Sequence, residues 1–222
     1  MAVEKKLNII VTDDHKLFRK GLINLLSEFK FVGKVYEASN GLELINFLAT
    51  AAQLPDVVLL DINMPVMDGI EAAEKIRKQY ADLKIIVLTM EDNEQFVLHM
   101  IENGINGYLL KNCEPEDLEK ALKSVMVKEF YFNYDIAELI RKAYVHQVNP
   151  SKNKQVRDEF THREKEVLQL ICKENSTQEM AEKLSVSPRT IETHRKNMIE
   201  KVGVKNIAGL IVYAIKNKLV EI

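Results

Sequence analysis

The sequence predicts an α/β protein: a doubly wound domain with a five-stranded parallel sheet, followed by a second, smaller all-α domain. Three observations carry that prediction. Up to residue 127, short apolar runs alternate with longer amphipathic segments, the rhythm of a parallel sheet with helices on both faces. Beyond Phe160 only helical periodicity remains. Between the two lies a polar run with proline and no apolar period, Asn149-Pro150-Ser151-Lys152-Asn153-Lys154-Gln155, which reads as an exposed linker.

The apolar runs at 7–12, 32–37, 56–60, 84–89 and 107–110 are rich in Val, Ile and Leu. Strands without a polar side belong in a sheet buried on both faces. Each is followed by a helical pattern. In the first, 15–29, Leu17/Phe18, Leu22, Leu25/Leu26 and Phe29 recur at spacings of three and four and make one apolar face. The second opens Asn40-Gly41-Leu42-Glu43 and the third Asp68-Gly69-Ile70-Glu71, each a capping side chain with Glu three residues on. The fourth covers 93–103 and stops at Gly104, while the fifth has Pro115 in its first turn and runs to 127. Tyr131, Phe132 and Tyr134 precede a further helix at 136–145, and four more follow at 162–174, 177–184, 188–202 and 206–218. The expected domains are therefore 1–128, a linker with a helix at 129–155, and 156–222.

With 46% hydrophobic and 29% charged residues the chain has a globular balance, and 222 residues suit two small domains. No apolar run approaches the ~20 residues that span a bilayer, and no signal-peptide core precedes the first strand, so a cytoplasmic protein without membrane contact is expected. Cys113 and Cys172 match no zinc or redox spacing and read as small hydrophobes in a reducing compartment. The net charge of −2 is unevenly spread: 156–222 holds 12 of the 31 Lys/Arg and 10 of the 33 Asp/Glu. The second domain is thus slightly basic, which permits a nucleic-acid partner without requiring one.

The predicted topology gathers chemistry at one edge. Asp13, Asp14 and Asp61 end strands one and three, Thr89 ends strand four, and Lys111 ends strand five. Taken singly, each reads as a solvated turn or cap. Three carboxylates that close repel one another unless a cation sits among them, and hard oxygen donors with room for water suit Mg²⁺. A divalent cation also lets a carboxylate attack phosphorus without anionic repulsion. Thr89 can donate its hydroxyl to a phosphoryl oxygen and Lys111 can offer an ammonium.

Asp13-Asp14, Asp61-Ile62-Asn63-Met64-Pro65-Val66-Met67-Asp68-Gly69, Thr89 and Lys111 together resemble the receiver-domain signature of two-component signalling, over about residues 5–127. The resemblance implies a flavodoxin-like fold and a sensor histidine kinase as partner. It makes Asp61 the phosphoacceptor, with Mg²⁺ held by Asp13, Asp14, Asp61 and the backbone carbonyl of Asn63. Thr89 and Lys111 then sense the phosphoryl group, and Tyr108 takes the family's aromatic switch position, where an ordinary strand aromatic is the plain alternative. Met90 departs from the small residue usual after the switch threonine, and restricted access to Asp61 is the expectation there.

In the second half, Thr161-His162-Arg163-Glu164 and Ser176-Thr177-Gln178-Glu179 are capping boxes, and Ser187-Pro188 opens a third helix with a cap and an N1 proline. Leu184-Ser185-Val186-Ser187 has the length of the turn in a helix-turn-helix. On the helix that follows, Arg189, Thr190, Thr193, Arg195 and Lys196 supply donors that a major groove can receive. A charged surface helix in any three-helix domain would look partly alike. The stretch from Phe160 to Leu168, with Ser187-Pro188-Arg189-Thr190-Ile191-Glu192-Thr193-His194, resembles the output domain of NarL/LuxR-type (FixJ-like) response regulators over about 156–220. By that resemblance Glu192, Thr193 and Lys196 contact bases of double-stranded DNA, and Arg189, Thr190 and Lys205 contact phosphates. His194 is a structural or phosphate-side residue rather than a titrating switch, and the last helix, with Val212 and Tyr213, forms a homodimer seam when the protein is phosphorylated.

Two rivals remain at this level. A phosphatase using Asp61 as nucleophile usually carries a second aspartate two residues on, but here stands Asn63, which cannot shuttle a proton. A phosphoacceptor switch rather than an enzyme is therefore expected. The other rival is an interaction adaptor whose helical half does not bind DNA.

Overall fold

In the computed structural model, which describes residues 6–91, 93–145 and 160–220, the chain alternates strand and helix five times and then turns helical. The elements are β1 (Leu7–Thr12), α1 (Lys16–Glu28), β2 (Val32–Ala38), α2 (Gly41–Thr50), β3 (Val57–Leu60), α3 (Gly69–Gln79), β4 (Lys84–Thr89), α4 (Glu94–Glu102), β5 (Gly107–Leu110) and α5 (Pro115–Val127). After them come β6 (Tyr131–Phe132), α6 (Tyr134–Val145), α7 (His162–Cys172), α8 (Thr177–Leu184), α9 (Pro188–Val202) and α10 (Ile207–Lys216). The expected linker residues 146–155 lie outside the described residues.

The first five strands pair in parallel, and the sheet order is β2-β1-β3-β4-β5-β6. Val57 to Leu60 are all buried, as are Ile9 to Val11 and Ile85 to Leu88, the burial on both faces that continuous Val/Ile/Leu strands require. β6 is a sixth strand that the sequence did not signal, because two residues are too short to show alternation. Asn40 and Asp68 accept from the backbone N–H groups of Glu43 and Glu71 and so cap α2 and α3.

The chain divides into two compact units, one of Met1–Asp92 with Gly107–Lys123, the other of Asn93–Asn106 with Ser124–Ile222. In the second unit α10 packs against α4, α6, α7 and α9. The Asn206 amide donates to the carbonyls of Gly104 at 2.6 Å and Ile105 at 3.0 Å. The core around α7–α10 is made by Val167, Leu168, Ile171, Met180, Ile191, Met198 and Leu210.

Candidate functional site

Parallel strands end on one side, so Asp13 after β1, Asp61 after β3, Thr89 at the end of β4 and Lys111 after β5 share an edge. The chain runs outward from β1 to β2 and then crosses to β3, so the crevice between β1 and β3 is the switch point where such folds bind ligands. Asp13, Asp61 and Thr89 are 2%, 3% and 0% exposed. Lys111 Nζ lies 2.7 Å from Asp13 Oδ2 and 2.7 Å from Asp61 Oδ2. The remaining oxygens are held as well: Asp61 Oδ1 accepts from the Ile62 N–H at 2.8 Å, and Asp13 Oδ1 from the His15 N–H at 2.7 Å.

Burial pulls the Lys111 ammonium toward deprotonation, but hydrogen bonds to Asp13 and Asp61 and the charges of both outweigh it and hold its pKa above the ordinary lysine value. A single ammonium does not balance the cluster, since Asp14 stands beside it. Asp13, Asp14, His15 and Asp61 each offer a ligand atom, all within 4.8 Å of one another. Three carboxylates facing one ammonium fit a divalent cation in charge and in donor chemistry.

Two groups that hold this edge are not apparent from acidic motifs. Arg19, buried on α1, donates from Nη1 to the Asp13 carbonyl and from Nε to Glu37 Oε2 at 3.1 Å. Its signal is a charged residue on the inward face of α1, three before Leu22. Gly69 starts α3 directly against β3: a Cβ there would stand 2.2 Å from the Asp61 carbonyl oxygen, and the Gly69 N–H donates to Ile62 O at 2.8 Å. Between them the loop passes through Val66, a β-branched residue at φ 71°, a strained conformation outside glycine.

Of the remaining expected residues, Tyr108 is fully buried and its hydroxyl donates to the Glu91 carbonyl at 2.7 Å. Its ring already lies inward. Thr89 Oγ1 accepts from the Glu91 N–H at 3.3 Å. Asn63 is exposed in the loop after β3, and Met90 is 70% exposed, turned to solvent.

In the helical domain both capping boxes form, with Glu164 answering Thr161 and Glu179 answering Ser176. Glu164 also accepts from Lys201 Nζ at 2.8 and 2.7 Å and is 3% exposed. α8 ends in the left-handed region at Ser185, φ 54° and ψ 45°, and Ser187 caps α9 by accepting from the Thr190 N–H. This is the tight turn of a helix-turn-helix. Arg189, Glu192, Thr193 and Lys196 are exposed on α9, Thr190 and His194 are half-buried, and Lys205 lies exposed in the turn after it.

Arg195 departs from the expectation. It is 6% exposed, its Nη2 pairs with Glu129 at 2.8 Å, and its Nη1 donates to Thr177 Oγ1 at 2.6 Å. Position 195 follows Ile191 by four and precedes Met198 by three, which puts it on the core face of α9. Lys205 Nζ donates to Asn103 Oδ1 at 3.1 Å. Val212 is 5% exposed and the Tyr213 ring stands edge-on to Phe160, so the expected seam is largely covered within its own unit.

Comparison with known proteins agrees with both halves. Residues 9–123 match the family described as Response regulator receiver domain, and 158–214 match Bacterial regulatory proteins, luxR family. The chain is 32% identical over 234 aligned residues to Transcriptional regulatory protein DegU of Brevibacillus brevis, covering 99% of this chain and 97% of that protein. It is 33% identical over 219 residues to Oxygen regulatory protein NreC of Staphylococcus epidermidis, covering 97% and 100%. Among solved structures, the complex of the two-component response regulator RcsB with DNA matches with a TM-score of 0.58 and 28% identity, over 96% of this chain and 99% of that one. These are families of transcription regulators, not of catalytic enzymes. A receiver domain and a luxR-type helix-turn-helix in one chain, matched end to end by DegU, make this protein a member of the two-component response regulators with a LuxR-type DNA-binding domain.

Proposed function

We propose that Asp61 accepts a phosphoryl group from a sensor histidine kinase and that this controls binding of 156–222 to specific double-stranded DNA as a homodimer in the cytoplasm. The observation that supports it most is the buried arrangement in which one ammonium, Lys111, bonds both Asp13 and Asp61 at 2.7 Å. The proposed division is a receiver domain at 1–128, a linker at 129–155 and the DNA-binding domain at 156–222.

Asp13, Asp14, Asp61 and the backbone carbonyl of Asn63 would hold Mg²⁺, which neutralises charge on the incoming phosphoryl group. An Asp61 carboxylate oxygen bonds phosphorus as the bond from phosphorus to the donor imidazole nitrogen breaks, the electron pair returning to that nitrogen. Lys111 then faces a phosphoryl oxygen in place of the free carboxylate, and Thr89 turns its hydroxyl to another. Two charge-assisted bonds of ~1.5–3 kcal/mol each total roughly 3–6 kcal/mol, the upper part of which reaches the ~5.5 kcal/mol that moves a two-state balance from 1:99 to 99:1. Since Tyr108 is already inward, its buried hydrogen bond to Glu91 is positioned to latch the Thr89 segment once that segment moves.

On α9, Glu192, Thr193 and Lys196 face solvent and suit base edges, while Arg189, Thr190 and Lys205 suit phosphates. Lys205 bonds Asn103, so it must leave that partner to reach DNA. Dimers that read two half-sites about one helical turn, ~34 Å, apart are expected. The test is selection of DNA sequences with and without acetyl phosphate and Mg²⁺. A phosphodonor-dependent sequence preference, lost in Asp61→Asn, is expected; a preference unchanged in that variant would overturn the proposal.

A further inference from the structure

Between α1 and α5 lies a cavity of about 260 Å³, walled by Leu22 and Leu25 of α1, Leu88 of β4 and Leu118 of α5. An apolar cavity of ~150 Å³ takes up benzene, so the space here holds a molecule of one or two rings. Two observations beyond the volume point to a ligand. Gly21, exposed where it lines the cavity, sits in the middle of α1, where glycine is disfavoured against alanine. A Cβ at that position would meet nothing within 4 Å. The chain thus forgoes helix stability where any side chain would narrow the opening. In addition, Phe18 and Lys111 both line the cavity, with Lys111 Nζ 4.9 Å from the centroid of the Phe18 ring. One wall therefore offers an aromatic surface to stack on and an ammonium that attracts the face of a π system.

The lining also sets the charge of the occupant. Lys111 already bonds Asp13 and Asp61, and Glu114 adds an exposed carboxylate to the lining, so an anion would enter an excess of negative charge. A cation would meet the Lys111 ammonium. Burial, and after it the charge of Asp117, hold the pKa of Cys113 above the ordinary thiol value. Cys113 therefore lines the cavity as an uncharged, weak donor and not as a nucleophile. We propose that this cavity is a binding site for a neutral aromatic molecule of one or two rings, which packs against Phe18 and shares the Lys111 ammonium with it.

The test is titration of the full-length protein with indole, followed through the leucine methyl groups by NMR, and repeated with indole-3-acetate, with tryptamine and on the cavity-filling variant Gly21→Met. Indole is expected to bind at millimolar concentration or below and to shift the methyls of Leu22, Leu25 and Leu118 by its ring current. Gly21→Met, checked for an unchanged fold by circular dichroism, should bind indole at least about tenfold more weakly. Both charged analogues should bind the parent more weakly than indole does. Leu25→Phe takes the place of Gly21→Met if that variant does not fold. Absence of the methyl shifts at millimolar indole, equal affinity in the filled variant, or tighter binding of either charged analogue would overturn the proposal. It is also overturned if indole shifts nothing while sedimentation shows that Gly21→Met changes the oligomeric state, which would make this face an interface between copies of the chain. The phosphoacceptor reading is independent of each outcome.

Discussion

The receiver edge and the probe helix use charge in opposite ways. At the edge, Asp13, Asp61 and Thr89 are withdrawn from water, and Lys111 bonds both carboxylates. On α9, Arg189, Glu192, Thr193 and Lys196 stand in solvent with local or weak partners, such as the 3.8 Å approach of Lys196 to Glu200. A group that must react benefits from fixed, desolvated neighbours. One that must read a groove benefits from a free donor that exchanges water for a base or phosphate. The expected substitution effects diverge accordingly.

The contrast breaks most sharply at Lys111. Lys111→Ala leaves Asp13 and Asp61 buried without their ammonium, and a loss of about 3–5 kcal/mol is expected. Thermal unfolding should show most of it restored by millimolar divalent cation; a variant that melts like the parent without cation would mean the edge is not held by this pair. Because the folded pKa of Lys111 is raised, its contribution is intact at neutral pH and below. It is lost only as pH rises through that folded value, beyond the ordinary ~10.4 of lysine.

On the probe helix the cost should fall on affinity and leave folding alone. Lys196→Ala is expected to cost about 1–3 kcal/mol of binding to the preferred sequence and to relax selectivity at one base pair, with the melting temperature unchanged. Binding assays on single-base variants of the selected site decide it. Equal losses on every sequence would make Lys196 a phosphate contact.

Glu164 sharpens the comparison from within the helical domain, since it is a buried charge with a structural task. Glu164→Gln is expected to destabilise that domain by about 1–2 kcal/mol through the capping box and Lys201. Burial pushes the Glu164 carboxyl up, yet the bonds from Lys201 and Thr161 prevail and hold its pKa below the ordinary carboxylate value. Its contribution is therefore complete above ~4.3 and disappears as pH falls through the depressed folded value. Urea unfolding of parent and variant between neutral pH and pH 3 should show the gap narrowing on the acid side.

The smallest effect belongs to Met90. With 70% of it exposed, Met90→Ala should change stability by less than about 0.5 kcal/mol and leave the rate of phosphorylation by acetyl phosphate close to that of the parent. A large acceleration would show that the side chain covers Asp61 in solution.

The strands, the caps and the acidic edge were legible because each has a local signature. Val/Ile/Leu runs mark buried strands, Asn40, Asp68, Thr161, Ser176 and Ser187 announce helix starts, and strand ends carry Asp13, Asp61, Thr89 and Lys111 to one side once the sheet is parallel. What stayed hidden depends on contacts distant in sequence. β6 is two residues long and exists only beside the rest of the sheet. Arg19 reads as one more surface arginine until α1 lies over β1 and brings it to the Asp13 carbonyl. By residue type Arg195 joins the DNA-facing donors, although its phase with Ile191 and Met198 points inward.

The tie from Arg195 to Glu129 bears on how the output half behaves when cut free. A fragment starting at 156 keeps Thr177 but loses the carboxylate that neutralises this guanidinium. Its reading helix then carries one more uncompensated positive charge than in the whole protein. Such a truncated regulator would grip random DNA more firmly, and its binding would weaken more steeply with added salt. A gain in DNA affinity on truncation would then partly reflect altered charge.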